Sequence, residues 1–142
     1  DVKGVWCHEA SASHFLTVVA IKQRYPGHAR QAGMIATFCQ SGGSTGRFIV
    51  VVDDDVDITN LEEVIWVMGS RCDPVKDIEI VRDCWSSTLD PIIPKEEKGL
   101  SSRAIIDACR PFKWMDSFPA IVGASPELEK KTVAKWGKLI YG

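Results

Sequence analysis

The chain has 142 residues, 45% hydrophobic and 25% charged, with a formal net charge of −2. That length fits one domain, 1–142, with a sizeable core, and that charge excludes the basic field that holds nucleic acid or anionic lipid. The longest apolar run, Phe48 to Val52, falls far short of the ~20 residues that span a bilayer, so no membrane partner is expected.

Val2 to Cys7 reads as a strand, and Phe15 to Ile21 as a second, joined by the small polar loop from Glu9 to His14. Arg24-Tyr-Pro-Gly27 breaks the pattern, because Pro fixes φ and Gly allows a left-handed turn. A helix is predicted from His28 to about Gln40, with Ala29, Ala32, Gly33 and Ala36 forming a small face that a neighbour can approach closely. Ser41-Gly-Gly-Ser-Thr-Gly46 ends it and is flexible by composition. Phe48-Ile-Val-Val-Val52 then reads as a strand buried on both faces. It delivers Asp53, Asp54, Asp55 and Asp57 at its carboxyl edge, where ligands of open α/β sheets sit.

Asn60 caps the next predicted helix, with Glu63 at the capping-box position. Leu61, Val64, Ile65 and Met68 form its apolar face, and Gly69 is its expected stop. Asp77 to Val81 alternates as a strand with one wet face. Ser86 to Ser102 is loop-like, with Pro91, Pro94 and Gly99, and Arg103 to Ala108 is a further strand. An extended segment, 111–142, ends in a helix. There Ser125 and Pro126 make a favoured start, and Leu128, Val133, Trp136 and Ile140 are expected on the buried side. Alternating strands and helices imply an α/β fold, with α+β as the alternative: a mixed layered sheet flanked by helices.

Clustered carboxylates such as Asp53 to Asp57 suit a hard divalent cation, and resemble the acidic motif of nucleotide-sugar glycosyltransferases. The structural alternative has one acid capping the Asn60 helix and another pairing with Arg71. Strand alternation keeps Asp54 off the face of its neighbours, and the structural alternative is favoured because no Gly-rich nucleotide loop or further acid cluster supports the metal. Lys22, Arg24, Tyr25, His28 and Arg30 around one turn suit either an anion or a packed basic turn. Cys7, His8, Glu9 and His14 are catalytic residue types, yet Cys7 and His8 face opposite sides of a strand. The five cysteines lack C-x-x-C spacing and read as buried free thiols of a reducing cytoplasm. The five tryptophans read as core or interface anchors.

Four segments together resemble the C-terminal domain of the UbiD family of decarboxylases. They are Lys22-Gln-Arg-Tyr-Pro-Gly-His-Ala-Arg30, Phe48 to Asp57, Val64-Ile-Trp-Val-Met-Gly-Ser-Arg-Cys-Asp-Pro74, and Leu89-Asp-Pro91 followed by Ser101 to Ala108. Within that family the resemblance is greatest to members acting on aromatic or phenolic acids. It implies a cytoplasmic, reversible decarboxylase of aromatic or α,β-unsaturated acids using prenylated FMN with a divalent metal and potassium. It implies that the flavin-binding half and the catalytic groups precede this domain, so no catalytic, cofactor or metal residue is assigned here and the chain alone is expected to be inactive and to hold none. The implied partners are that N-terminal flavin-binding domain and further copies in a homo-oligomer. By position, Thr45, Ser87 and Leu89 correspond to a wall of the substrate pocket. The chain departs from the family pattern at Ser11, often Gly, and at His14, often Arg. Two other expectations stand beside this one: a stand-alone assembly module without catalysis, and a metal-dependent transferase using Asp53 to Asp57.

Overall fold

The structure is a computed structural model that describes residues 1–44, 46–97, 99–121 and 124–141. Its elements in chain order are β1 (Val2–Cys7), β2 (Leu16–Ile21), α1 (His28–Phe38), α2 (Gln40–Ser44), β3 (Phe48–Asp53), α3 (Leu61–Arg71), α4 (Pro74–Asp77), β4 (Ile78–Trp85), β5 (Leu100–Asp107) and α5 (Pro126–Ile140). The strands form one mixed sheet in the order β1-β2-β3-β5-β4. β2, β3 and β5 are parallel, and β1 and β4 close the two edges antiparallel. The fold is α/β.

The central strand explains the apolar run. Ile49, Val50, Val51 and Val52 are all fully buried, because helices cover both faces. Val18, Val50, Val52 and Ile106 pack beneath Val64 and Val67 of α3. Val19, Ile21, Ile49 and Val51 pack beneath Ala29 and Ala32 of α1. The neighbour that approaches the small face of α1 is the sheet itself: a Cβ on Gly33 would lie 2.3 Å from Ile105 Cγ2.

Several boundaries move. The Gly-rich run is not free of regular structure, since Gln40 to Ser44 forms the short α2. It folds back so tightly that a Cβ on Gly42 would strike the Ala36 carbonyl oxygen at 1.7 Å. α3 runs through Gly69 to Arg71, because the Arg71 side chain is anchored on Asp53 and Asp55. Its buried face uses Val64 and Val67, while Ile65 is 54% exposed. Asn60 caps α3 by accepting from the Glu62 and Glu63 amides, and its own amide donates to the Asp57 carbonyl. β4 and β5 are each longer than expected: Cys84 pairs with Ser101 and Trp85 with Leu100 beyond a bulge. Asp83 turns that bulge in the left-handed region, φ 56°.

The apolar side of α5 is not buried. Leu128, Val133, Trp136 and Leu139 are all at least 45% exposed, and the Ile140 side chain lies outside the described residues. Trp66, Trp85, Trp114 and Trp136 are likewise 46–64% exposed, so these four are not core anchors. Among the thiols, Cys84 and Cys109 are buried, whereas Cys7 and Cys39 are exposed.

Candidate functional site

The parallel strands give the sheet two chemically different edges. At the carboxyl edge, Asp53 ends β3 with its side chain 3% exposed. A carboxylate is an acceptor only, and every donor it needs is present. Gln23 Nε2 donates to Oδ1 at 2.7 Å. The Arg110 amide (2.8 Å), Arg110 Nε (3.1 Å) and Arg71 Nη1 (3.1 Å) donate to Oδ2. Arg71 also grips Asp55 through both terminal nitrogens, at 3.1 and 3.2 Å. Burial pushes the Asp55 carboxyl up, but the hydrogen bond and charge of Arg71, with the charge of Arg110, outweigh it and hold it below its ordinary value. Asp57 accepts from the Thr59 amide and hydroxyl, which lowers its pKa and shapes the turn into α3. Asp54 is exposed.

The acidic run is therefore a clamp joining β3, α3 and the segment after β5. Among the described residues no three His, Cys, Asp or Glu side chains are grouped to hold a metal ion. The transferase expectation loses its cation site on that ground: two of the acids are committed to arginines.

The basic turn is engaged too. Arg24 pairs with Asp1 at 2.9 Å and Arg30 with Glu79 at 2.5 Å. The Tyr25 ring stacks on His28 with centroids 4.5 Å apart. Of the other candidate types, His8 is buried at 2% exposure while Cys7 is exposed.

At the amino edge a second clamp surrounds a small recess. Arg47, just before β3, pairs with the 3%-exposed Asp90 and lies over the Phe15 ring, 4.9 Å from its centroid. Arg103, in β5, donates to the carbonyls of Gly42, Gly43, Gly46 and Trp85. Burial pushes its guanidinium down from its ordinary value. Those bonds lock the Gly-rich segment against the start of the 86–99 loop. The recess is lined by the hydroxyl residues Ser44, Ser86, Ser87, Ser101 and Ser102, with His14 and Phe15 at its side.

Ser87 and Leu89 share one turn, in which Ser87 Oγ accepts the Leu89 amide at 3.2 Å. That leaves the Ser87 proton available for donation outward. Ser87 lines the recess, whereas Leu89 points to solvent at 84% exposure. Thr45 lies outside the described residues. The loop before β2 is held by Ser11, whose hydroxyl donates to the His8 carbonyl and accepts the Leu16 amide. Left-handed Ala12 and Ser13 follow, turning His14 toward the recess. Sequence reasoning missed Arg47, Asp90 and Arg103. The available signal was an arginine at the mouth of each of two buried strands, where a cation has to find an acceptor.

The sequence profile of the 3-octaprenyl-4-hydroxybenzoate carboxy-lyase C-terminal domain, UbiD_C, matches residues 1–108. The chain belongs to that family. A protein of Archaeoglobus fulgidus is 35% identical over 135 residues, covering 90% of this chain and 27% of its own length. The UbiD-class enzyme HmfF from Pelotomaculum thermopropionicum, solved in complex with FMN, superposes with a TM-score of 0.79 at 29% identity, over 95% of this chain and 29% of that one. The open form of Sedimentibacter hydroxybenzoicus vanillic acid decarboxylase gives a TM-score of 0.74 at 26% identity, over 98% and 29%. The chain thus spans between a quarter and a third of the length of these relatives.

HmfF is solved in complex with FMN and, in an evolved dimeric form, with prenylated FMN. The described carboxylates form no metal cluster, and Arg47, Arg71, Arg103 and Arg110 are committed to carboxylates or carbonyls.

Proposed function

We propose that the domain forms one wall of the substrate pocket, and part of the oligomer interface, of a reversible decarboxylase of aromatic or α,β-unsaturated acids. In this reading the prenylated FMN, its divalent metal and potassium are held by an N-terminal flavin-binding domain of the same protein. The observation that carries it is the Ser87–Leu89 turn. It sets a hydroxyl with a spare proton beside an uncovered leucine, on an edge already made rigid by Arg47–Asp90 and Arg103. A pocket wall for a phenolic acid needs those two things: a donor for a ring oxygen and an apolar surface for the ring.

When bound, the flavin supplies the electron sink that decarboxylation requires. This chain's contribution is positional. Leu89 presses on the ring and excludes water, and Ser87 donates to a ring hydroxyl, so the carboxylate is held at a fixed angle. Thr45 is assigned to the same wall by its place in the sequence.

The test is Ser87→Ala in the complete enzyme. One lost neutral hydrogen bond is worth about 0.5–1.5 kcal/mol. The kcat/KM for hydroxylated aromatic acids is therefore expected to fall roughly 2- to 10-fold, with little change for an acid lacking the ring hydroxyl. Equal kcat/KM for both classes before and after the substitution removes Ser87 from the wall.

A further inference from the structure

Among the described residues four buried side-chain nitrogens have no hydrogen-bond partner: Trp6 Nε1, His8 Nε2, Arg47 Nε and Arg71 Nε. A buried N–H in that state costs free energy until something accepts from it. Of the four residues, Arg47 is the one that borders the hydroxyl-lined recess of the amino edge. Its guanidinium is held firmly there. Nη2 donates to Asp90, and the group lies over the Phe15 ring, 4.9 Å from its centroid. Asp90 is fixed in turn. Its Oδ1 accepts the Ile92 amide at 3.2 Å, and its own amide donates to the Ser87 carbonyl at 3.2 Å. A planar guanidinium anchored at Nη2 has its Nε direction set as well. The turn that carries Ser87 therefore also places the unpartnered Arg47 N–H.

The room in the recess is about 10 Å³. That is close to the least that one water molecule needs, and it is too small for a carboxylate or a phosphate. A buried water also needs two to four polar partners, and the lining supplies them in Arg47 and the hydroxyls of Ser86, Ser87 and Ser101.

We propose that the recess holds one water molecule, which accepts from Arg47 Nε and donates to Ser87 Oγ, and that Arg47 is thereby the positioning residue for the Ser87 proton. The inference rests on the pocket-wall reading of Ser87 and deepens it. A serine oxygen has two lone pairs and one proton. The Leu89 amide fills one lone pair at 3.2 Å, and the water fills the other. The proton then has one direction left, outward, to a ring oxygen lying against Leu89. Ser87 becomes a fixed donor instead of a rotor that donates or accepts, so the wall selects ring substituents that accept. The competing occupant is a monatomic anion, because Arg47 and Arg103 face one carboxylate, Asp90, around the recess. An anion such as chloride is larger than water and carries no proton. It would draw the Ser87 proton inward and abolish the outward donor.

The complete enzyme, crystallised without halide and again with bromide, gives the direct test. The expected result is one spherical density about 2.7–3.2 Å from both Arg47 Nε and Ser87 Oγ, with no anomalous bromide peak. A bromide peak in the recess, or an Arg47 Nε that bonds a protein group instead, overturns the water. Kinetics test the positioning role. Arg47→Lys keeps a charge for Asp90 and removes Nε. It is expected to lower kcat/KM roughly 2- to 10-fold more for a ring-hydroxylated acid than for the analogue without the ring oxygen, the worth of one neutral hydrogen bond. Added to Ser87→Ala it is expected to cause no further loss of that preference, because both act through one proton. Equal losses for the two acids, or additive losses in the double variant, make Arg47 a structural residue and overturn its positioning role. Ser87→Ala without effect on either acid overturns the pocket wall and the positioning with it, whereas the density alone decides the water.

Discussion

Asp53 shows how a residue type that invites a functional reading is used for construction. Its carboxylate and Arg71 are both 3% exposed, so each is tolerable only with the other. Arg71→Ala is expected to destabilise the fold by about 3–5 kcal/mol in urea titration. Arg110→Ala, at a side chain 29% exposed, is expected to cost clearly less. pH separates two further acids. Asp55 is held below its ordinary value, so its contribution is present above 3.8 and is lost as pH falls through the lowered value. Asp107 behaves oppositely, because burial pushes its carboxyl up. Its ionised form is disfavoured in the fold, and stability is lost as pH rises through the raised value. Asp107→Asn keeps an oxygen to accept the Cys109 amide, now at 3.0 Å. It is expected to raise Tm at pH 7, with the gain shrinking as pH falls from the raised value and gone below 3.8. An unchanged or lower Tm at pH 7 contradicts this.

At the scale of elements, two glycines of similar appearance behave differently. Gly33 sits where a Cβ would meet Ile105 at 2.3 Å, whereas a Cβ on Gly69 would meet nothing within 4 Å. Gly33→Ala is expected to cost about 1–3 kcal/mol by overpacking. Gly69→Ala is expected to add about 0.5–1 kcal/mol through helix propensity alone. Chemical denaturation of the pair checks both signs. The same contrast shows what was legible in the sequence. β3 was legible because burial on both faces writes an unbroken apolar run. The Asn60 cap was legible because capping is local. The stop at Gly69 was misread because α3 is extended by Arg71, eighteen residues from its partner Asp53. The full length of β4 and β5 depends on pairing with each other across the 86–99 loop, and no local pattern carries that. The amphipathic pattern of α5 was readable, but its expected burial was not met within this chain, because a pattern fixes a face and not what covers it.

The whole molecule combines a firm three-layer core with two unlike edges. The carboxyl edge is closed by Asp53, Arg71 and Arg110, and the amino edge presents the Ser87–Leu89 turn beside a recess lined by hydroxyls. Ser87 stood out in the sequence, whereas Arg47, Asp90 and Arg103, which hold that edge together, became visible only once distant segments were brought together. In the proposed function the domain is a shaping half without an electron sink. The most direct test supplies the 142-residue chain with prenylated FMN, manganese, potassium and a phenolic acid carrying a ¹³C carboxyl, and follows the release of labelled carbon dioxide. The account predicts release no faster than in buffer with the same additions. Sustained turnover by the chain alone contradicts it.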